Sequence, residues 1–313
     1  MKHIRFFRFF TVVAIMALLA TTLGGAVPAA QAATARVIVR GTSLDVAVSA
    51  VQAVGGRVTD KIDIINAVVA DVPQASVTKL SQTPGILGVM SDRTVKMVGE
   101  AASPAATHPD NTTFQYSKVV GADQVWAGGN LGQDVTVATL DTGIDPTFLS
   151  LRVTPGVWQD RYLAYYDAPT NKVYEPLKLL RSPGDPNGHG THVAGIIGNS
   201  DKEDGQYVGI APGVNFVSVR VLDDTGTGTY ADVLRGLNWV VQNKARYNIR
   251  VLNMSMYATP VAPYWADPYN LAVMAAWKAG IVVVASAGND GPKPLSIGVP
   301  GNTPYIITVG AFT

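Results

Sequence analysis

From Phe114 onward the chain repeats one pattern: a short run of unbroken apolar residues, then a longer stretch with helical periodicity. The runs are "DVTVATLD", "VNFVSVRVLDD", "IRVLNMSM", "GIVVVASAGND" and "TPYIITVGA"; "YADVLRGLNWVVQNKARY" and "PYNLAVMAAWKAG" are helices among them. A strand that is apolar on both faces needs cover on both faces, and alternating helices supply it. The pattern therefore predicts a parallel sheet in a three-layer α/β domain over residues 114–313. Ligands of such sheets collect beyond the carboxyl ends of the strands, which directs attention to the residues just after each run. The chain is 47% apolar and 15% charged, enough to bury such a core. With 24 basic against 23 acidic side chains and no basic run beyond the N-terminus, nucleic acid is excluded as a partner.

The two stretches before this domain differ from it and from each other. Lys2, His3, Arg5 and Arg8 make a positive head, followed by an apolar stretch from Phe9 to Val27. Ala30 and Ala32 then form a small-x-small cleavage pattern, so residues 1–32 are predicted to be a removable signal peptide of an exported protein. A membrane anchor is the competing reading, but Thr and Gly interrupt the stretch and no second run of spanning length follows, so no stable membrane association is expected. The chain has no cysteine, which removes disulfides, thiol nucleophiles and thiolate metal sites.

Residues 33–98 alternate on a shorter scale. "ARVIVR", "RVTDKI", "INAVVADVP" and "ILGVMSDRTVKM" read as strands, with "SLDVAVSAVQAVGG" and "QASVTKLSQTPG" as helices, a β-α-β-β-α-β order of ferredoxin-like α+β type. The letters Gly41-Thr42-Ser43 suggest an activated serine, but no histidine lies between His3 and His108. Ser43 is expected to cap the first helix. Residues 99–113, "GEAASPAATHPDNTT" from Gly99, are small, polar and proline-containing, and are read as an exposed joint with a processing site; His108 is a solvated residue of it.

Three strand ends carry chemistry. Asp141 ends the first run in "LDTGID", where a simple turn residue is the bland reading. His189 follows a glycine-rich turn in "DPNGHGTHVAGIIG" and begins an apolar helix. His192, three positions on, is read as packed inside, because zinc helices use a four-residue spacing with an intervening Glu and none is present. Asn289, between Gly288 and Gly291, has a carboxamide able to donate to an anionic oxygen, or to serve a turn.

Together the three sites are more specific than any one. "VATLDTGID", "HGTHVAG", "VLNMSM" and "ASAGNDG", in that order, resemble the subtilisin family of serine endopeptidases (subtilases), and residues 33–98 resemble that family's inhibitory propeptide. The resemblance implies that Asp141 orients the His189 ring, His189 is the general base and Asn289 donates to the oxyanion. It implies that Gly226, Thr227 and Gly228 form one edge for substrate backbone, and Ser255, Met256 and Tyr257 the other. Tyr257 stands where the family commonly has glycine, narrowing the pocket beside the scissile residue. Polypeptides would be the substrates, and the chain's own propeptide an intramolecular inhibitor.

The family's nucleophile sits in a Gly-Thr-Ser-x-Ala element tens of residues beyond the oxyanion Asn, whereas this chain ends at Thr313. Ser255 and Ser286 lack the strand-to-helix turn that presents a nucleophile, and Ser43 precedes Asp141 and His189, against family order. The serine is thus expected beyond the end of the chain, and these residues alone to be inactive, by about 10⁶ in turnover. No cofactor is expected, no metal ligand is assigned, and calcium is left open with its ligands unknown. Calcium often stabilises the family, but Asp201, Glu203 and Asp204 in "NSDKEDG" read as a solvated charged loop. Two rival readings are a non-catalytic peptide-binding protein of the same fold, gripping extended chains on the Gly226–Gly228 edge, and a small domain that acts as a free protease inhibitor.

Overall fold

Two sheets take up most of the strands, and a third, smaller one joins them. The computed structural model describes residues 33–99, 116–152 and 160–311, and divides the chain into two units, Met1–Thr34 and Ala35–Thr313. The expected leader over 1–32 lies outside the described residues, as do His108 and all of the joint except Gly99.

The N-terminal lobe of the second unit holds β1 (Thr34–Gly41), α1 (Leu44–Ala53), β2 (Arg57–Ile62), β3 (Ala67–Pro73), α2 (Val77–Ser81) and β4 (Ile86–Ser91). The sheet order is β2-β3-β1-β4. Ser43 caps α1, its hydroxyl accepting from the Val46 amide at 3.3 Å. Side chains alternate across the sheet, as strand geometry requires. Val37, Val39, Val68, Ala70 and Val72 pack with Ala47, Val51 and Leu80 of the lobe's own helices. Ile38, Ile62, Ala67 and Val69 face the other way and join the core of the larger domain. Both faces of the lobe's sheet thus carry buried apolar residues, so it is built to lie against something.

The stretch 86–97 is not one strand. It breaks at Asp92 and Arg93, and β5 (Thr94–Met97) leaves the small sheet altogether.

The larger domain continues with α3 (Tyr116–Val119), α4 (Ala122–Ala127), β6 (Thr136–Asp141), α5 (Leu149–Arg152), β7 (Tyr162–Asp167), β8 (Lys172–Tyr174) and α6 (His189–Gly198). A hairpin of β9 (Lys202–Glu203) and β10 (Gln206–Tyr207) leads to β11 (Asn215–Arg220), β12 (Thr227–Thr229) and α7 (Tyr230–Tyr247). Then come β13 (Ile249–Met254), β14 (Met256–Tyr257), α8 (Pro268–Lys278), β15 (Val282–Ser286) and β16 (Ile307–Val309).

Seven strands form the main sheet in the order β16-β15-β13-β6-β11-β7-β8. Neighbouring strands run parallel except β7 and β8, so the sheet is mixed rather than purely parallel. The antiparallel edge arises because β7 turns straight back through Asn171, at φ 54, into β8. "YLAYYD", the β7 run, is rich in tyrosine and was not among the predicted strands; aromatic enrichment is its signal. Leu140, Val217, Val219 and Leu252 pack on one face with α7 and α8, while Val137, Tyr162, Phe216 and Ala194 of α6 pack on the other. Three layers result, with every residue of β6 buried at the centre.

The N-terminus of α7 redirects the chain at 92–93. The Asp92 carboxylate accepts from the Ala231 amide at 2.9 Å, and the Arg93 carbonyl accepts from the Tyr230 amide at 2.8 Å. These amides lack partners inside the helix, and an anion there also meets the positive end of the helix dipole. Arg235 of α7 pairs with Asp60 of β2 through two bonds of 2.7 and 2.9 Å. Burial opposes the Asp60 charge, but the Arg235 bond and charge outweigh it and hold the carboxyl below its usual range.

Both partners are mostly buried, so Arg235→Ala should destabilise the docked lobe by on the order of 3 kcal/mol. Hydrogen exchange would show this as faster exchange in β2 and β3. Because the Asp60 pKa is depressed, the wild-type advantage should persist above about pH 4 and vanish as pH falls through the lowered value.

Candidate active site

Asp141 stands at the carboxyl end of the central strand β6 and is 0% exposed. A carboxylate that deep needs partners. Its Oδ1 accepts from the Thr142 amide at 2.8 Å and lies 2.6 Å from His189 Nδ1, while Oδ2 has no hydrogen-bond partner. His189 begins α6 directly after Gly188, which at φ 89 takes a backbone conformation that side chains disfavour. At Gly190 an added Cβ would fall on the Gly143 carbonyl oxygen. Glycine is required there for α6 to approach the end of β6 closely enough to join the two side chains.

A residue that sequence reasoning passed over holds this junction. Asp185 accepts from the Thr142 hydroxyl at 2.7 Å and the Gly188 amide at 3.0 Å. Its second oxygen accepts from the Thr191 amide at 2.7 Å and the Thr191 hydroxyl at 2.6 Å. Thr142 in turn accepts from the Gly190 amide at 3.0 Å. Asp185 thus ties the turn after β6 to the first turn of α6. Its only sequence signal was an acidic residue heading the glycine-rich turn, shortly before His189.

The two expected backbone edges lie on either side of the chain's own β5, in a three-stranded sheet of order β12-β5-β14. Lys96 pairs with Thr227 on one side and with Tyr257 on the other, and Met97 pairs with Met256. Beyond the strand, the Met97 amide donates to the Gly226 carbonyl and the Val98 amide to the Ser255 carbonyl, both at 2.9 Å. The Val98 carbonyl oxygen lies 2.9 Å from His189 Nε2. Asn289 comes to the same peptide from the other side. With its carboxamide oriented by its surroundings, the oxygen accepts from the Gly99 amide and the nitrogen donates to the Gly288 carbonyl, both at 3.2 Å. The Asn289 donor is therefore not aimed at the Val98 carbonyl in this arrangement.

Both imidazole nitrogens thus face acceptors, a carboxylate and a carbonyl, an arrangement that suits the doubly protonated ring. Burial works against that charge, but the Asp141 bond and charge, the Val98 carbonyl and Asp185 together raise the His189 pKa above the ordinary histidine value. Burial pushes the Asp141 carboxyl upward, against the His189 and Thr142 contacts.

Other expected residues fall elsewhere. His192 is exposed, not packed inside. Thr191, Ala194 and Gly198 form the buried stripe of α6, and the helical repeat turns His192 away from it. Ser255 and Ser286 bond to Asn253 Nδ2 and the Gly288 amide respectively, and neither is bonded to His189. Asp201, Glu203 and Asp204 are exposed in and beside the β9–β10 hairpin. Among the described residues no three His, Cys, Asp or Glu side chains cluster to hold a metal ion. No helix among them is long and apolar enough to cross a membrane.

The fold and site define an α/β protein whose central parallel strands end on an Asp–His pair beside a cleft that binds an extended strand. Residues 132–313 match the Subtilase family, and the chain belongs to it. It is 34% identical over 267 residues to "Serine protease AprX" of Bacillus subtilis, an alignment covering 82% of this chain and 53% of that one. It is 30% identical over 259 residues to "Subtilisin E" of the same organism, covering 82% and 58%. The chain thus spans about half the length of these relatives. The fold matches the crystal structure of fervidolysin from Fervidobacterium pennivorans, described as a keratinolytic enzyme related to subtilisin. There the TM-score is 0.63 at 21% identity, over 91% of this chain and 44% of that one.

A raised folded-state pKa means that protonated His189 stabilises the fold fully below about pH 6.5, and that this contribution is lost as pH rises through the raised value. Imidazole NMR titration should find His189 above the ordinary histidine pKa, and Asp141→Asn should lower it.

Proposed function

We propose that the chain is the larger part of a secreted subtilisin-type zymogen that hydrolyses peptide bonds of polypeptides through an Asp–His–Ser triad. The observation that carries this reading is the 2.6 Å contact of Asp141 with His189, together with the other ring nitrogen lying against a peptide carbonyl. Asp141 would hold the imidazole with Nδ1–H toward β6 and stabilise the imidazolium. His189 would accept the serine proton at Nε2 and deliver it to the leaving amine. Asn289 would turn its carboxamide nitrogen to the oxygen of the tetrahedral intermediate. The serine is proposed to come from outside these 313 residues, since the chain spans about half of its relatives and none of its described serines bonds to the imidazole.

Gly226, Thr227, Gly228, Ser255, Met256 and Tyr257 would bind substrate as they bind β5, through backbone. Pairing of that kind accepts many sequences. Residues 33–98 would act as propeptide, their last strand filling the cleft until it is cut. The charged head and apolar stretch of residues 1–32 support export.

The complete gene product, once processed, should label with a fluorophosphonate at a serine and hydrolyse casein; absence of both would overturn the protease reading and leave the peptide-binding and inhibitor readings. His189→Ala should lower turnover by about 10⁶, Asp141→Asn by about 10⁴ and Asn289→Ala by about 10²–10³. Steady-state kinetics on the separately refolded variants would check this order.

A further inference from the structure

Resting on that reading of the cleft, we propose that the bond cut in processing is Val98–Gly99, and that Tyr257 limits the residue on its acyl side to small aliphatic side chains.

Strand pairing sets the register. Thr94, Val95 and Lys96 pair with Thr229, Gly228 and Thr227, and the ladder ends where the Val98 amide meets the Ser255 carbonyl. The next peptide unit leaves the ladder. Its carbonyl meets His189 Nε2 at 2.9 Å and its amide meets the Asn289 carboxamide at 3.2 Å. Among the described residues, no other peptide unit has one atom on the imidazole's Nε2 and the other on Asn289. Val95, fully buried three positions earlier, anchors the register, because a slip of one residue would expose it.

In this arrangement the peptide plane is inhibitory. Attack needs the carbonyl turned toward the Asn289 nitrogen, which reverses the plane. Gly99, at φ 125, stands in a backbone region that side chains rarely enter, and it has no Cβ to obstruct that turn. In the net step one water is consumed and the Val98 carbon–Gly99 nitrogen bond breaks. The water oxygen ends on the Val98 carboxylate, and Gly99 leaves as a free amine with a proton delivered by His189.

Val98 is bracketed by two segments. Ser255 holds its amide, and on the far side Asn289 follows Gly288 at the end of β15. The Tyr257 backbone pairs with Lys96, two positions before Val98, and its ring lies against Gly288, directly before Asn289. A Cβ at Gly298 would lie 3.0 Å from Tyr257 Cδ2, one at Gly288 3.4 Å from it, and the hydroxyl donates to Asp290 at 3.3 Å. A ring packed on two glycines and tethered at its tip would take up the space that a large side chain at position 98 needs.

The test uses the complete gene product. Intact-mass analysis of the processed protein should give Gly99 as the new N-terminus. A different N-terminus in a protein that still labels with fluorophosphonate overturns this assignment alone, whereas neither cleavage nor labelling overturns the protease reading with it. Mature enzyme should cleave a chromogenic Lys-Met-Val peptide faster in kcat/KM than Lys-Met-Phe by about tenfold or more, and Tyr257→Gly should shrink or reverse that ratio. Tyr257→Phe, which keeps the ring, should preserve it. In the full chain, Val98→Phe should slow processing about tenfold and Val98→Ala should not. An unchanged Val/Phe ratio in Tyr257→Gly, or undiminished processing of Val98→Phe, would overturn the role of Tyr257.

Discussion

The contact between Asp141 and His189 organises everything around it. A carboxylate at the end of the innermost strand has lost its water, and one of its oxygens has no partner. The imidazole and the Thr142 amide are what keep the charge tolerable there. To supply that imidazole, α6 must begin almost in contact with the turn after β6. The glycines around His189 and the Asp185 bridge result from that demand. Strand, turn and helix form one electrostatic unit, and each part makes sense only beside the other two.

The second dependence is between lobes. The N-terminal sheet shares an apolar core with the larger domain through Ile38, Ile62, Ala67 and Val69, and Val95 belongs to the same cluster. Around that apolar centre the contacts between the lobes are polar: Arg235 pairs with Asp60, and Arg93 pairs with Asp267 at 3.9 Å and donates to the Tyr230 hydroxyl at 3.1 Å, while Arg36 holds Asp92 at 3.2 Å within the N-terminal lobe. Asp92 and Arg93 also take the first amides of α7. These contacts aim β5 into the cleft, which brings Val98 to His189. A helix end remote from the imidazole thereby determines which peptide reaches it.

Much of this was legible in advance because it depends on local rules. Continuous apolar runs between amphipathic helices give α/β layers whatever the partner elements, and a Ser before a helix caps it. Asp141 and Asn289 stood out because each stands at or just past the end of a strand, where such sheets place ligands, and His189 because it heads a helix after a glycine-rich turn. Two misreadings and one omission have a common cause. Residues 86–97 read as one strand, since nothing local reveals that the N-terminus of α7 competes for Asp92 and Arg93. His192 was placed inside from its spacing to His189, but the buried stripe of α6 is defined by what packs on it. Asp185 was passed over, because its bond to the Thr142 hydroxyl, far away along the chain, leaves no trace in the order of letters.

Resemblance to the subtilases implied the two edges of the cleft; by itself the sequence determined the layer architecture and the strand ends that carry polar side chains. These come from hydrophobic period and backbone propensity, which act over a few residues. Tertiary structure alone decided what lies between those edges and in which register. Backbone pairing is nearly blind to side chains, so burial of Val95 and the docking of a separate lobe had to choose Val98 as the residue that meets the imidazole.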